Sequence, residues 1–263
     1  LPDGRLLSLP IPRDGEARRY RDVRFDGEPV SRLVRELTDG RINGDDPCHL
    51  DPDLRARARP RPEGWRPLFG QAGGAATHLR NRGVSPGDLF LFFGCFRRTQ
   101  RVDGRLRFRP DAPDLHVLFG WLQVGRIHPR PAREPEALES WMRGHPHADA
   151  ERPRPNNVLF AASPELVLDG RATGLPGGGA FERLTDELVL TADGATRSVW
   201  DLPRPFWRED PERRLSYHGR RDRWTLLGDR VRLRSVAQGQ EFVLEVTDEE
   251  VLGWLRSVLA AVG

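Results

Sequence analysis

Lysine does not occur in this sequence; all 42 basic residues are arginine. A Schiff-base lysine, a lysine general base and a Walker-type phosphate lysine are therefore excluded. So complete an exchange of lysine for arginine marks GC-rich coding, which weakens abundant arginine as a sign of nucleic-acid binding. The 39 acidic residues leave a net charge of only +3, so a wholly basic protein is excluded, while a local basic patch is not. Two cysteines, Cys48 and Cys95, cannot form a disulfide framework and point to a reducing cytoplasm. No apolar run approaches the roughly 20 residues that a spanning helix needs, and no basic-then-apolar leader follows the opening Leu1-Pro2-Asp3-Gly4. The expectation is a cytoplasmic protein without a membrane partner. No internal repeat is present.

Two stretches dominate what is there. Gly87-Asp88-Leu89-Phe90-Leu91-Phe92-Phe93-Gly94 is almost wholly apolar, too short for a globular helix and opened by a Pro-Gly-Asp turn. It reads as a strand buried on both faces. His116 to Ile127 follows as a second strand, with Val117, Phe119, Trp121 and Gln123 on one face. Glycines 94, 120 and 125 punctuate the pair and mark bulges or close approaches. Gln123 must find a partner or line a cavity, because an unpaired buried amide is costly.

Further strands are expected over Arg5 to Pro12, Asn156 to Ala162, Leu188 to Trp200 as a hairpin, Trp224 to Val236 as another, and Phe242 to Val246. The connection Arg97 to Asp114 contains a hairpin at Asp103-Gly104. Helical spacing appears over Val30 to Leu37, Ala72 to Leu79 and Glu134 to Arg143. A last helix, opened by a Thr247/Glu250 capping box, carries Val251, Trp254, Leu255, Val258 and Leu259 as one apolar stripe. The fold class is therefore α+β: a mixed, largely antiparallel β core with flanking helices and a C-terminal helix packed on the sheet. A chain of 263 residues with 37% hydrophobic content suits one compact domain over 1–263. A hairpin-plus-helix subdomain over 212–263 is the one subdivision the pattern suggests.

Several polar clusters stand on separate loops, the pattern of a site gathered on a rigid scaffold. Cys48-His49-Leu50-Asp51 puts a thiol, an imidazole and a carboxylate between prolines; the structural alternative is turn capping. Gln71 stands at the start of a small-residue helix, where free N–H groups favour an anion or a carbonyl. His145-Pro146-His147 offers two imidazoles as ligand contacts, or simply as surface groups of a rigid loop. Ser216-Tyr217-His218 and Gln240-Glu241 complete the set. Candidate catalytic groups are His49, Asp51, His218 and Glu241. Candidate substrate contacts are Cys48, Gln71, Trp121, Gln123, His145, His147, Tyr217 and Gln240. A metal would have to draw on Cys48, His49, Asp51, His145, His147 or His218, but no familiar ligand spacing is present, so none is assigned. No cofactor is indicated.

The combination of Leu6-Leu7-Ser8-Leu9-Pro10-Ile11-Pro12, Cys48-His49-Leu50-Asp51-Pro52-Asp53, Phe69-Gly70-Gln71, the two core strands, His145-Pro146-His147, Leu215-Ser216-Tyr217-His218 and Gly239-Gln240-Glu241-Phe242-Val243 resembles a bacterial and phage family, the nucleotide-modification-associated domain that is third of its named series. The resemblance spans nearly the whole chain and implies a link to modified bases in nucleic acid or free nucleotides, together with a further segment ahead of Leu1. Residues 87 to 127 also resemble PUA-like barrels of the EVE and ASCH groups, which bind a base in an aromatic-walled pocket. Two functions follow as expectations. One is an enzyme modifying a base or nucleotide bound over the aromatic core, with Asp51, His218 or Glu241 as acid or base and Gln71 and Gln123 reading the base edge. The alternative is a non-catalytic reader of a modified base, with Trp121 and Phe96 stacking on it and arginines holding phosphates.

Overall fold

The strands that organise the fold are, in chain order, β1 (Ile11–Pro12), β2 (Cys48–His49), β3 (Leu68–Gln71), β4 (Leu89–Phe96), β5 (Leu115–Pro129), β6 (Val158–Ala162), β7 (Gly178–Ala180), β8 (Val199–Pro203), β9 (Trp224–Leu227) and β10 (Arg230–Arg234). The helices are α1 (Ser31–Leu37), α2 (Gly73–Asn81) and α3 (Glu249–Leu259). These come from a computed structural model that describes residues 1–236, 241–246 and 249–262. The class is mixed α+β with antiparallel sheets. Among the described residues no helix is long and apolar enough to cross a membrane.

The long strand β5 holds the main sheet together by changing neighbours along its length. Its first half pairs with β4 on one side and β7 on the other, Leu89 to Phe96 running against Gln123 to Leu115. Its second half pairs with β6, which in turn pairs with β3. Every ladder is antiparallel, and the sheet curls into a half-barrel. The changeover lies at a bulge, where Ala161 faces Arg126 but Ala162 faces Val124. Gly125 is the skipped residue. A Cβ there would stand 2.7 Å from Ser163 Cα, so only glycine lets the strand bend at this point.

A three-stranded sheet, in the order β8-β10-β9, turns its apolar side to the largest core. There Trp200, Leu202, Val231 and Leu233 meet Val117, Trp121 and the α3 stripe Val251, Leu255, Val258 and Leu259. A separate core under the N-terminal segments gathers Tyr20, Val23, Val30, Val34 and Cys48.

The structure changes four expectations. Strand β4 is not buried on both faces: Phe92 alone falls in the buried class, and the others are half-buried or exposed, because the strand borders a hollow. Glu134 to Arg143 forms two 3-10 turns, Pro135–Ala137 and Ser140–Met142, not an α-helix. Leu138 and Glu139 take extended dihedrals that break the helical ladder, which frees Leu138, Trp141 and Met142 to plug against Leu68 and Leu159. Arg5 to Pro12 contributes only β1 and an isolated Arg5–Arg183 bridge. Among the described residues Phe242 to Val246 joins no ladder; Val243 instead exchanges hydrogen bonds with Ser216, through Ser216 N–H to Val243 O at 2.9 Å and Val243 N–H to Ser216 Oγ at 2.8 Å. Thr247, the expected cap, lies outside the described residues.

Candidate active site around Asp51

The two-residue ladder between β1 and β2 decides where His49 goes. Ile11 faces His49 and Pro12 faces Cys48. Since neighbouring side chains leave a strand on opposite faces, Cys48 enters the N-terminal core and His49 turns the other way. The Cys48 thiol is fully buried in that core, and burial pushes it up to about 11. Two residues on, Asp51 is held by the main sheet: the Gly70 N–H of β3 donates to its Oδ1 at 2.9 Å.

The third component arrives from far along the chain. Residues 146–148 form a 3-10 turn with Pro146 at its first position, in which the His147 N–H donates to His145 Nδ1 at 3.2 Å. Both histidines are buried, not on the surface. The His147 ring lies directly over the backbone of Gly70, where a Cβ would fall 2.2 Å from its Cγ. Glycine at 70 is thus what lets an imidazole and a buried carboxylate share one strand residue.

Three imidazoles surround Asp51. His145 Nε2 stands 3.3 Å from Oδ1, while His147 Nε2 and His49 Nε2 stand 3.4 Å and 3.6 Å from Oδ2. Each ring is fixed from behind. His49 Nδ1 meets Glu16 Oε1 at 3.0 Å, and Glu16 in turn accepts from Arg154 Nη2 at 2.9 Å. His147 Nδ1 meets Asn157 Oδ1 at 2.6 Å, and Asn157 Nδ2 donates to the His147 carbonyl at 2.7 Å. Burial by itself would raise the Asp51 carboxyl, but the contacts around it, led by the close His145 imidazole, outweigh it and hold Asp51 well below the usual carboxylate range. Burial drives His147 the other way, down to about 3, against the pull of Asp51. A neutral imidazole thus faces an ionised carboxylate.

This cluster opens on a hollow of about 1860 Å³ whose wall includes His49, Asp51, His147 and Arg154. The floor is aromatic. Phe69, Phe90, Phe92 and Phe119 line it, locked to one another by edge and stacked contacts with ring centroids 5.0–6.2 Å apart. Gln71 and Glu241 also line it; Gln71 Nε2 donates to Glu241 Oε1 in a short bond, and its Oε1 accepts from the Ala72 N–H at 3.0 Å.

The remaining candidates fall elsewhere. Trp121 is 2% exposed, donates to the Pro176 carbonyl at 3.1 Å and packs on Phe181, so it belongs to the core. Gln123 reaches the hollow's wall, but its amide is fully engaged. Nε2 donates to the Gly87 and Val167 carbonyls, and Oε1 accepts from the Val167 N–H and the Ser163 hydroxyl. His218 is wholly buried among backbone partners, and Tyr217 is half exposed with its ring over His78. Gln240 lies outside the described residues.

The fold adds groups that the sequence did not single out: Glu16, Arg154 and Asn157. In a chain with 42 arginines no local signal distinguishes Arg154. Glu16 sits in an unremarked turn. Among the described residues Arg154 Nη1 is buried with no hydrogen-bond partner. Although no metal was assigned from spacing, His49, Asp51 and His147 each offer a ligand atom, all within 4.8 Å of one another.

No curated protein and no solved structure matches the chain. The family described as nucleotide modification associated domain 3 matches residues 1–245, including every element that builds the Asp51 cluster. The chain belongs to that family, whose domains are associated with nucleotide modification systems.

Proposed function

We propose that this chain modifies a base or nucleotide lying on the phenylalanine floor, with the Asp51 cluster as the reacting centre. The observation that carries the reading is a buried, ionised carboxylate ringed by imidazoles in the wall of an aromatic-lined hollow. A base has two π-faces, and stacking on aromatic side chains contributes about 1–3 kcal/mol per base. Its edge carries mixed donors and acceptors, which an amide–carboxylate pair such as Gln71 and Glu241 can match. Arg154 Nη1, a buried donor without a hydrogen-bond partner among the described residues, suits a phosphate or a carbonyl oxygen. Carboxylate and imidazole together supply the groups for moving a proton on the bound base.

The test is a mass-spectrometric comparison of nucleosides from cells carrying the wild-type protein, cells carrying Asp51→Asn and cells lacking the gene. The expected result is a nucleoside gained or lost with the wild type alone. Identical profiles in all three, with purified protein still binding base-modified oligonucleotides, would replace the enzyme by the reader.

A further inference from the structure

We propose that His49 Nε2, Asp51 Oδ2 and His147 Nε2 bind one divalent first-row transition-metal ion. The inference deepens the reading above, resting on it for what the ion is used for but not for whether it binds.

The argument is a proton inventory. Glu16 is a carboxylate flanked by Arg154 at 2.9 Å and Arg13 at 3.7 Å, so it can only accept, and the 3.0 Å contact assigns the His49 proton to Nδ1. Asn157 donates its Nδ2 to a carbonyl, so its Oδ1 faces His147 and assigns that proton to Nδ1 as well. As neutral imidazoles both rings turn an Nε2 lone pair toward Asp51. His145 is the reverse: it accepts the His147 N–H on Nδ1 and carries its proton on Nε2, beside Asp51 Oδ1. The two oxygens of Asp51 thus differ. Oδ1 faces two N–H groups, from Gly70 and His145, whereas Oδ2 faces two lone pairs at 3.4 and 3.6 Å. Acceptors converging in a buried pocket repel unless a cation stands between them.

The spacing fits such a cation. Ligand atoms about 2.1 Å from a shared ion lie about 3.0–3.6 Å apart at angles from octahedral to trigonal, matching the two measured distances. The surroundings fit too, since metal-binding histidines donate their other ring N–H to a carboxylate or carbonyl oxygen that fixes the tautomer; Glu16 and Asn157 stand in those places. Two imidazoles and a carboxylate suit zinc or iron better than magnesium or calcium.

The untagged full chain, stripped with a chelator, would be titrated with Co(II), and its intrinsic metal content read by mass spectrometry. One equivalent should bind, with visible ligand-field absorption. His49→Ala, Asp51→Asn and His147→Ala should each weaken binding at least tenfold, and His218→Ala should not change it. Should the first three fail to fold, Glu16→Gln should weaken binding by about 10–100-fold. A folded wild type that takes up none of Co(II), Zn(II), Fe(II) and Mn(II), or uptake indifferent to these substitutions, would overturn the inference. Metal binding without any nucleoside change would instead sink the proposed function and leave the metal site standing.

Discussion

Among the described residues two clusters hold buried histidines, one around Ser216 and one around Asp51, and the second has polar atoms left over. Around Ser216, both ring nitrogens of His218 and the Ser216 hydroxyl have conventional partners. His218 Nδ1 donates to the Ser216 carbonyl at 2.8 Å, its Nε2 accepts the Val236 N–H at 3.1 Å, and the Ser216 hydroxyl bridges Val243 N–H and His78 Nε2. The Trp224 indole donates to the His218 carbonyl at 2.7 Å. Around Asp51, two lone pairs meet a carboxylate oxygen, and Arg154 Nη1 has no hydrogen-bond partner among the described residues. A buried histidine is therefore not a signal in itself. The two clusters differ in whether the protein satisfies the polar atoms that face one another within them.

The largest expected effect that would break this contrast is Asp51→Asn. Nucleoside modification should fall by about 10²–10⁴-fold, while thermal stability of the metal-free protein holds or rises, because the new amide N–H can pair with an imidazole lone pair. A large drop in melting temperature together with unchanged chemistry would merge the two clusters into one structural class. His218→Ala should behave in the opposite way. Leaving the Val236 N–H and Ser216 carbonyl unpaired beside a cavity should cost roughly 2–4 kcal/mol in denaturant unfolding, with Co(II) affinity unmoved.

The same residue predicts a pH dependence. Burial lowers the His218 imidazole to about 4, from 6.5 in the unfolded chain. The unfolded state therefore binds the proton first, and stability is full above pH 6.5. It declines as pH falls toward about 4, by on the order of 3 kcal/mol. Unfolding curves of the wild type and His218→Ala at pH 7 and pH 4 check this, since the variant should lose that part of the slope. The smallest effect, about 1–3 kcal/mol, is expected for Gly70→Ala. Its methyl group would meet the His147 ring and should weaken the Asp51 cluster while leaving the His218 region as it is.

The α+β class, α1, α2, α3 and the hairpin at Asp103-Gly104 were legible in the chain, since each rests on local periodicity and turn residues. The segment Glu134 to Arg143 misled because its apolar spacing fits a helix, whereas packing against Leu68 and Leu159 demanded extended dihedrals at Leu138 and Glu139. His49, Asp51, Gln71, His145 and His147 were already chemical candidates by residue type and loop position. Trp121 was expected over a base and lies in the core, since strand alternation says which face a side chain takes and not whether that face opens on a hollow or a core; Gln123 both finds partners and reaches the hollow's wall.

By itself the sequence determined which chemistry could exist here: no lysine, a few imidazoles and carboxylates on loops, and an aromatic β core. It could not decide which imidazoles meet. His49 and Asp51 reach His147 only because the β3–β6–β5 ladder carries the 146–148 turn across Gly70. Nor could it assign a proton to one ring nitrogen or the other, because Glu16 and Asn157 make that choice through contacts that span 33 and 10 residues. Residue type is local, whereas protonation and ligand geometry depend on neighbours that folding alone brings within reach.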